Sequence, residues 1–247
     1  MKKILSLALV FIMLISLGAF AFAEESESVV CGTAAQVMNY VIISKENRVP
    51  MRVFPAVLEK DGETKDVYLI SLLGVKGNRK QVNSAKNLLP AAFNKKNSYA
   101  EFVVETIRNT IPEGSALVFA CHSLGGMVAQ ALRADARLVD NYEIVNVLTA
   151  GSPLILVKTP TEGSLQRLAD KNDIIPLLSP ATVTNLSQQI RSASREDGGY
   201  AFDPDGAHNL SYMRDDVWGA YDALGVKNGN ATLRFSPDAM TVYGVVE

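Results

Sequence analysis

Apolar residues recur along this chain in short blocks separated by polar turns, and the spacing inside each block predicts its element. Residues 34–43 fit a short helix. Residues 51–58 and 66–73 are β-rich runs joined by Lys60-Asp61-Gly62-Glu63. An Asp-Gly pair between two such runs signals a tight hairpin, because both central residues of that turn need positive φ. The mixed stretch 79–97 predicts an irregular connection with some helix. Ser98-Tyr99-Ala100-Glu101 reads as a capping box, and Tyr99, Phe102, Val103, Thr106, Ile107 and Ile111 mark one helical face behind it.

Residues 116–120 are apolar without alternation, which suits a strand buried on both faces of a parallel sheet. Met127, Val128, Ala131, Leu132 and Leu138 then return to roughly helical spacing. Residues 142–148 predict the next parallel strand, and 165–168 a further short strand. The polar segment 178–203 suits a cap over a pocket. Leu210, Met213, Val217, Tyr221 and Leu224 predict a helix stopped by Gly225, and 241–246 an edge strand. No internal repeat is visible. The succession predicts an α/β fold: a mostly parallel central sheet with helices on both faces and an antiparallel hairpin near the N-terminus.

The first residues stand apart from this scheme. Lys2 and Lys3, an apolar stretch from Ile4 to about Phe20, and Ala21-Phe22-Ala23 have the make-up of a cleaved secretory signal, residues 1–23. The mature chain is then expected to begin at Glu24 and to be exported. Residues 24–247 suffice for one α/β domain. No later apolar run is long enough to span a bilayer.

Charge and cysteine content narrow the options. The formal charge of −2 becomes −4 without Lys2 and Lys3, and no basic stripe with interleaved aromatics is present, so a nucleic-acid partner is not expected. Two cysteines are too few for a disulfide framework. A single bridge between Cys31 and Cys121 is left open. Ser28-Val29-Val30 lacks the small residues that precede a lipidated cysteine.

The chemistry concentrates where the run 116–120 ends in Cys121-His122-Ser123-Leu124-Gly125-Gly126. A serine between small residues, after a buried strand and before a helix, has the setting of a nucleophile elbow. The hydroxyl projects from the turn, and the N–H of Leu124 faces any negative charge that develops beside it. A second oxyanion donor belongs where a neighbouring strand reaches the same edge. Leu73-Gly74-Val75-Lys76-Gly77 is glycine-rich there and offers the N–H of Val75 or Lys76.

A serine needs a base, usually an imidazole. The chain has two histidines, and His122 precedes Ser123 on the backbone, so its side chain is expected to point away; His208 is the candidate by elimination. The orienting carboxylate belongs between serine and histidine in the chain. Asp173, in Asn172-Asp173-Ile174-Ile175-Pro176, fits best, with Asp170 as the alternative. Asp203 and Asp205 lie close to His208 but lack the ligand set of a calcium loop, and no metal or cofactor is expected.

With these residues in hand, the chain resembles the α/β-hydrolases of the lipase and esterase type, and most of all the class 3 lipases. The resemblance rests on Cys121-His122-Ser123-Leu124-Gly125-Gly126, Thr149-Ala150-Gly151-Ser152-Pro153, Asn172-Asp173-Ile174-Ile175-Pro176, and His208 with Tyr212 after it. It covers roughly residues 115–215. It departs from the family where Cys121 replaces a glycine and where residues 73–77 lack an arginine-glycine-threonine pattern. It implies an α/β-hydrolase fold, a triad of Ser123, Asp173 and His208, and hydrolysis of carboxylic esters, small or lipid, with transient contact to a lipid surface. Leu154-Ile155-Leu156-Val157 would line an acyl site or belong to the core. The same constellation would serve a thioesterase, an acyltransferase or a peptidase, and a non-catalytic binding protein would keep the fold without turnover.

Overall fold

The computed structural model describes residues 27–42, 49–75, 81–155, 160–178, 187 and 190–244. The expected signal segment 1–23, and with it Lys76, Leu156 and Val157, lies outside the described residues. No described helix is long and apolar enough to cross a membrane.

The chain forms an α/β structure around a nine-stranded mixed sheet. In chain order the strands are β1 (Val29–Cys31), β2 (Met51–Lys60), β3 (Glu63–Leu72), β4 (Ala116–His122), β5 (Glu143–Ala150), β6 (Ser164–Asp170), β7 (Ser194–Glu196), β8 (Thr232–Phe235) and β9 (Thr241–Tyr243). Their order across the sheet is β1-β8-β2-β3-β4-β5-β6-β7, and β9 also pairs with β2. From β3 to β7 every pairing is parallel. The rest is antiparallel: β2 pairs with β3 through the expected hairpin, and its other side takes β8 along Ala56–Glu59 and β9 along Met51–Val53. The hairpin turn is made by Asp61 and Gly62, both at positive φ, as a primed two-residue turn requires.

Three longer helices flank the sheet: α1 (Ala34–Ile42), α2 (Ser98–Thr110) and α3 (Leu124–Leu132). Two buried clusters mark its two faces. One gathers α1 with Tyr212, Trp218 and Phe235, and the other gathers α2 and α3. Strand β4 is buried at every position, and alternate residues feed the two clusters: Val118 and Ala120 one, Leu117, Phe119 and Cys121 the other. That two-sided burial is why its sequence reads as an unbroken apolar run.

Several expectations are corrected. The cap of α2 is Asn97, whose side chain accepts from the N–H of Ala100 at 2.8 Å, while Ser98 bonds Asn87 instead. Helix α3 ends at Leu132, and Leu138 belongs to a separate short helix, Ala136–Val139, capped by Asp135. The expected helix from 210 to 224 is broken into a π-helical turn (Gly206–Leu210), a 3-10 turn (Ser211–Met213) and a short helix (Asp215–Trp218). Arg214 is extended, and Asp222 folds the next residues into a loop by accepting from the N–H groups of Leu224, Val226 and Ala231. Part of the segment expected as a cap supplies β7, the sheet's outer parallel strand, and residues 179–186 and 188–189 lie outside the described residues. Cys31 and Cys121 are unpaired, one in each core cluster.

Candidate functional site

Parallel strands deliver their carboxyl ends to one edge, and that edge carries the candidate residues. Ser123 follows β4, Gly74 and Val75 follow β3, Gly151 and Ser152 follow β5, and Asp173 follows β6. The turn at Ser123 is strained. Its φ of 54° and ψ of −123° lie where side chains are disfavoured. The other non-glycine residues at positive φ among the described residues, Asp61, Asn94 and Asn228, sit at exposed positions and are of types that tolerate it. Ser123 is a buried serine between a strand and a helix, held by its N–H to the carbonyl of Ala150 at 3.0 Å.

Close backbone approach explains the small neighbours of the turn. A Cβ on Gly125 would lie 2.3 Å from the carbonyl oxygen of Leu72 in β3. The Cys121 thiol packs inside the core, and burial pushes its pKa far above the usual thiol range. It is a structural side chain with no free thiolate to offer.

His208 Nε2 lies 3.1 Å from Ser123 Oγ, and His208 Nδ1 lies 2.9 Å from Asp173 Oδ2. A carboxylate only accepts, so Nδ1 carries a hydrogen, and in the neutral ring Nε2 then turns its lone pair toward the serine hydroxyl. The Asp173 side chain is 1% exposed and that of His208 17%. Oδ1 of Asp173 also accepts from the N–H of Ile175 at 2.9 Å, and Oδ2 accepts from the Tyr212 hydroxyl at 2.8 Å. Burial, with the adjacent Asp173 charge, holds the Tyr212 phenol well above its usual pKa, so it stays a donor.

Asp170, the alternative acid, is committed elsewhere. It is fully buried, and it accepts from Ser211 Oγ at 2.5 Å, the Gly198 N–H at 2.8 Å and the Asn172 N–H at 2.7 Å. Its own N–H donates to the Tyr212 hydroxyl at 3.0 Å. Asp170 therefore clasps the end of β6 to residues 198 and 211, and Tyr212 connects that clasp to Asp173.

Reading the sequence alone missed the role of His122. Its ring is buried, 4.6 Å from the ring of His208 between centroids, and its Nε2 donates to the backbone carbonyl of His208 at 2.7 Å. Adjacency to the serine gave no signal of this, because the partner is 86 residues away. Gln130, from α3, fixes the turn after β5 by donating to the carbonyl of Pro153 at 2.9 Å and accepting from the N–H of Ile155 at 3.1 Å. The Arg167 guanidinium donates to the carbonyl of Ser152 at 3.0 Å, and burial lowers its pKa to about 10, which leaves it charged near neutrality. Ile155 belongs to the core and Leu154 is half-buried.

Leu124, at the start of α3, has no intrahelical carbonyl for its N–H. Across the turn, a Cβ on Gly74 would lie 2.8 Å from Ser123 Cβ and 3.3 Å from its Oγ. The backbone leading into Val75 therefore runs directly against the serine. Asp203 and Asp205 do not form a cation cage: Asp203 accepts from the Gly206 N–H at 2.9 Å, and Asp205 from Asn209 Nδ2 at 2.7 Å. Among the described residues no group of three or more His, Cys, Asp or Glu is arranged to hold a metal.

No protein-family model, no curated protein and no solved structure matches the chain.

Proposed function

We propose that this protein is an exported serine hydrolase of the α/β-hydrolase type that cleaves carboxylic esters. The observation that carries the reading is the line of contacts from Ser123 Oγ through both ring nitrogens of His208 to Asp173, at 3.1 and 2.9 Å. It joins three residues 35 and 85 positions apart in pairs, and it leaves a lone pair facing a hydroxyl proton. That is what an otherwise weak oxygen nucleophile needs.

In this reading, Ser123 Oγ attacks the acyl carbon as His208 Nε2 takes its proton. The former carbonyl oxygen becomes negative beside the N–H groups of Leu124 and Val75. His208 then hands its proton to the departing alcohol oxygen, leaving the acyl group on Ser123. Water attacks that acyl carbon and gives a proton to His208, which returns it to Ser123 Oγ as the acid leaves. Asp173 keeps the Nδ1–H tautomer and stabilises the imidazolium. The route uses no metal and no cofactor.

Substrate preference follows from the loops around these residues. Val75, Ile174, Leu178 and Leu210 are exposed apolar side chains within five positions of Asp173, His208 or the oxyanion segment. They favour esters with an apolar acyl or alcohol part, including lipid esters. Export follows from the secretory pattern of residues 1–23. A fluorophosphonate probe should label the wild-type protein and fail on Ser123→Ala, and p-nitrophenyl esters of rising chain length should be turned over only by the former. A protein that neither takes the probe nor turns over any ester of that series sinks the reading and leaves a binding protein of the same fold.

A further inference from the structure

Behind the glycine-rich turn after β3, Asn83 is 1% exposed. Its Nδ2 donates to the carbonyl of Gly74 at 2.9 Å. Its Oδ1 is buried and has no hydrogen-bond partner among the described residues. An asparagine that makes one bond while its buried acceptor meets no partner among the described residues is a poor stabiliser. What it does is fix one carbonyl. Building on the ester-hydrolase reading, we infer that Asn83 is a positioning residue for the oxyanion site: it orients the Gly74–Val75 peptide so that the Val75 N–H donates to the developing oxyanion.

The argument is geometric. The described chain has no cis peptide bonds, and across a planar trans peptide the C=O and the following N–H point in opposite directions. A donor that holds the Gly74 carbonyl from behind therefore turns the Val75 N–H the other way. Gly74 itself faces Ser123, since a Cβ there would touch both Ser123 Cβ and Oγ. Asn83 is in turn braced by the fold. The Ser84 N–H donates to the Gln81 carbonyl at 3.2 Å, and Asn87 Nδ2 donates to the Val82 carbonyl at 2.5 Å and reaches Ser98 Oγ at 3.0 Å, at the start of α2. A chain of contacts runs from that helix to the peptide beside the serine. It also separates the two oxyanion candidates: the orientation set by Asn83 belongs to Val75.

Asn83→Leu, which keeps the volume and removes both polar atoms, tests this together with Val75→Pro, which removes the N–H itself. Loss of an oxyanion donor costs about 100- to 1,000-fold in kcat, so a misaimed one should cost about 10- to 100-fold. We expect that fall in kcat for Asn83→Leu with KM within about twofold. The preference for an oxygen ester over the matching thionoester should fall by a similar factor, because sulfur accepts oxyanion-site hydrogen bonds poorly. The thermal midpoint should fall modestly, since the Gly74 carbonyl loses its donor. The double variant should be no slower than Val75→Pro alone, as both act through one N–H.

Wild-type kcat in Asn83→Leu overturns the inference, as does a fall in kcat with an unchanged oxygen-to-thiono preference. Additive losses in the double variant also overturn it. A wild-type protein with no esterase activity and no probe labelling would show that the functional reading itself fails, and would remove the inference with it. An active wild type beside an equally active Asn83→Leu would remove the inference alone.

Discussion

His122 Nε2 lies 2.7 Å from the backbone carbonyl of His208, so the residue before the serine holds the loop of the residue that faces it. The carbonyl only accepts, and the imidazole must donate. His122→Phe keeps a ring of similar size and deletes that donor. The carbonyl of His208 then loses a buried partner, at a cost of about 1–3 kcal/mol in stability. His208 is also freed to drift, and a misplacement of about 1 Å can cost on the order of 100-fold in rate. A stability loss by thermal unfolding with wild-type kcat/KM would reduce His122 to packing alone.

The two aspartates differ in what they lose. Asp173→Asn puts an amide where His208 Nδ1 needs an acceptor, favouring the wrong tautomer, and should lower kcat about 10,000-fold with the fold intact. Asp170→Asn instead weakens a clasp made by Ser211, Gly198 and Asn172. It should cost about 1–3 kcal/mol of stability while most of kcat survives. Parallel kinetics and denaturant unfolding of the two variants decide it, and a reversed pattern would exchange their roles.

Both thiols should resist a disulfide-exchange reagent in the native protein and react once it is unfolded. Burial pushes the Cys31 pKa up to about 11 and that of Cys121 higher, so at pH 8 neither offers much thiolate. Unfolding without reductant should release two titratable thiols. Release of none would mean that the cysteines pair in solution.

Acid sensitivity should trace in part to Arg137. It bridges Glu101 of α2 and Asp135, at 2.9 and 2.7 Å. Its hydrogen bonds hold both carboxyls below their usual pKa. A depressed folded-state pKa stabilises the fold above the ordinary carboxylate range, near pH 4, and that contribution fades as the pH falls through the depressed values. Arg137→Met should lower the thermal midpoint near neutrality more than at pH 3, where the two proteins should converge. A constant difference across that range would mean that the ion pairs contribute nothing.

The sequence was legible where a local pattern carries the structure. Two-sided burial makes β4 an unbroken apolar run, Asp61-Gly62 announces its turn, and the scarcity of histidine singles out His208. The antiparallel flank was harder. Strands β1 and β8 are three and four residues long, too short to display a period, whereas β9 falls within the edge strand expected at 241–246. β7 is Ser-Arg-Glu with every residue half-buried, so it looks like loop. The contacts around the site escaped for another reason. Tyr212 bonds the N–H of Asp170 and the carboxyl of Asp173, Asn83 a carbonyl of the turn after β3, and His122 a carbonyl 86 residues away. Such bonds depend on where remote backbone arrives, and no spacing of residue types encodes that.

The hairpin tip has a practical consequence. Asp61 and Gly62 are exposed, nothing lies within 4 Å of where a Gly62 Cβ would be, and β3 runs from Glu63 to Leu72, beside the serine's helix. At about 3.3 Å per residue the tip lies roughly 30 Å from that end of the strand. A dye, an affinity tag or a link to a solid support attached there would face away from Ser123, and an immobilised protein would keep its reactive edge open to substrate.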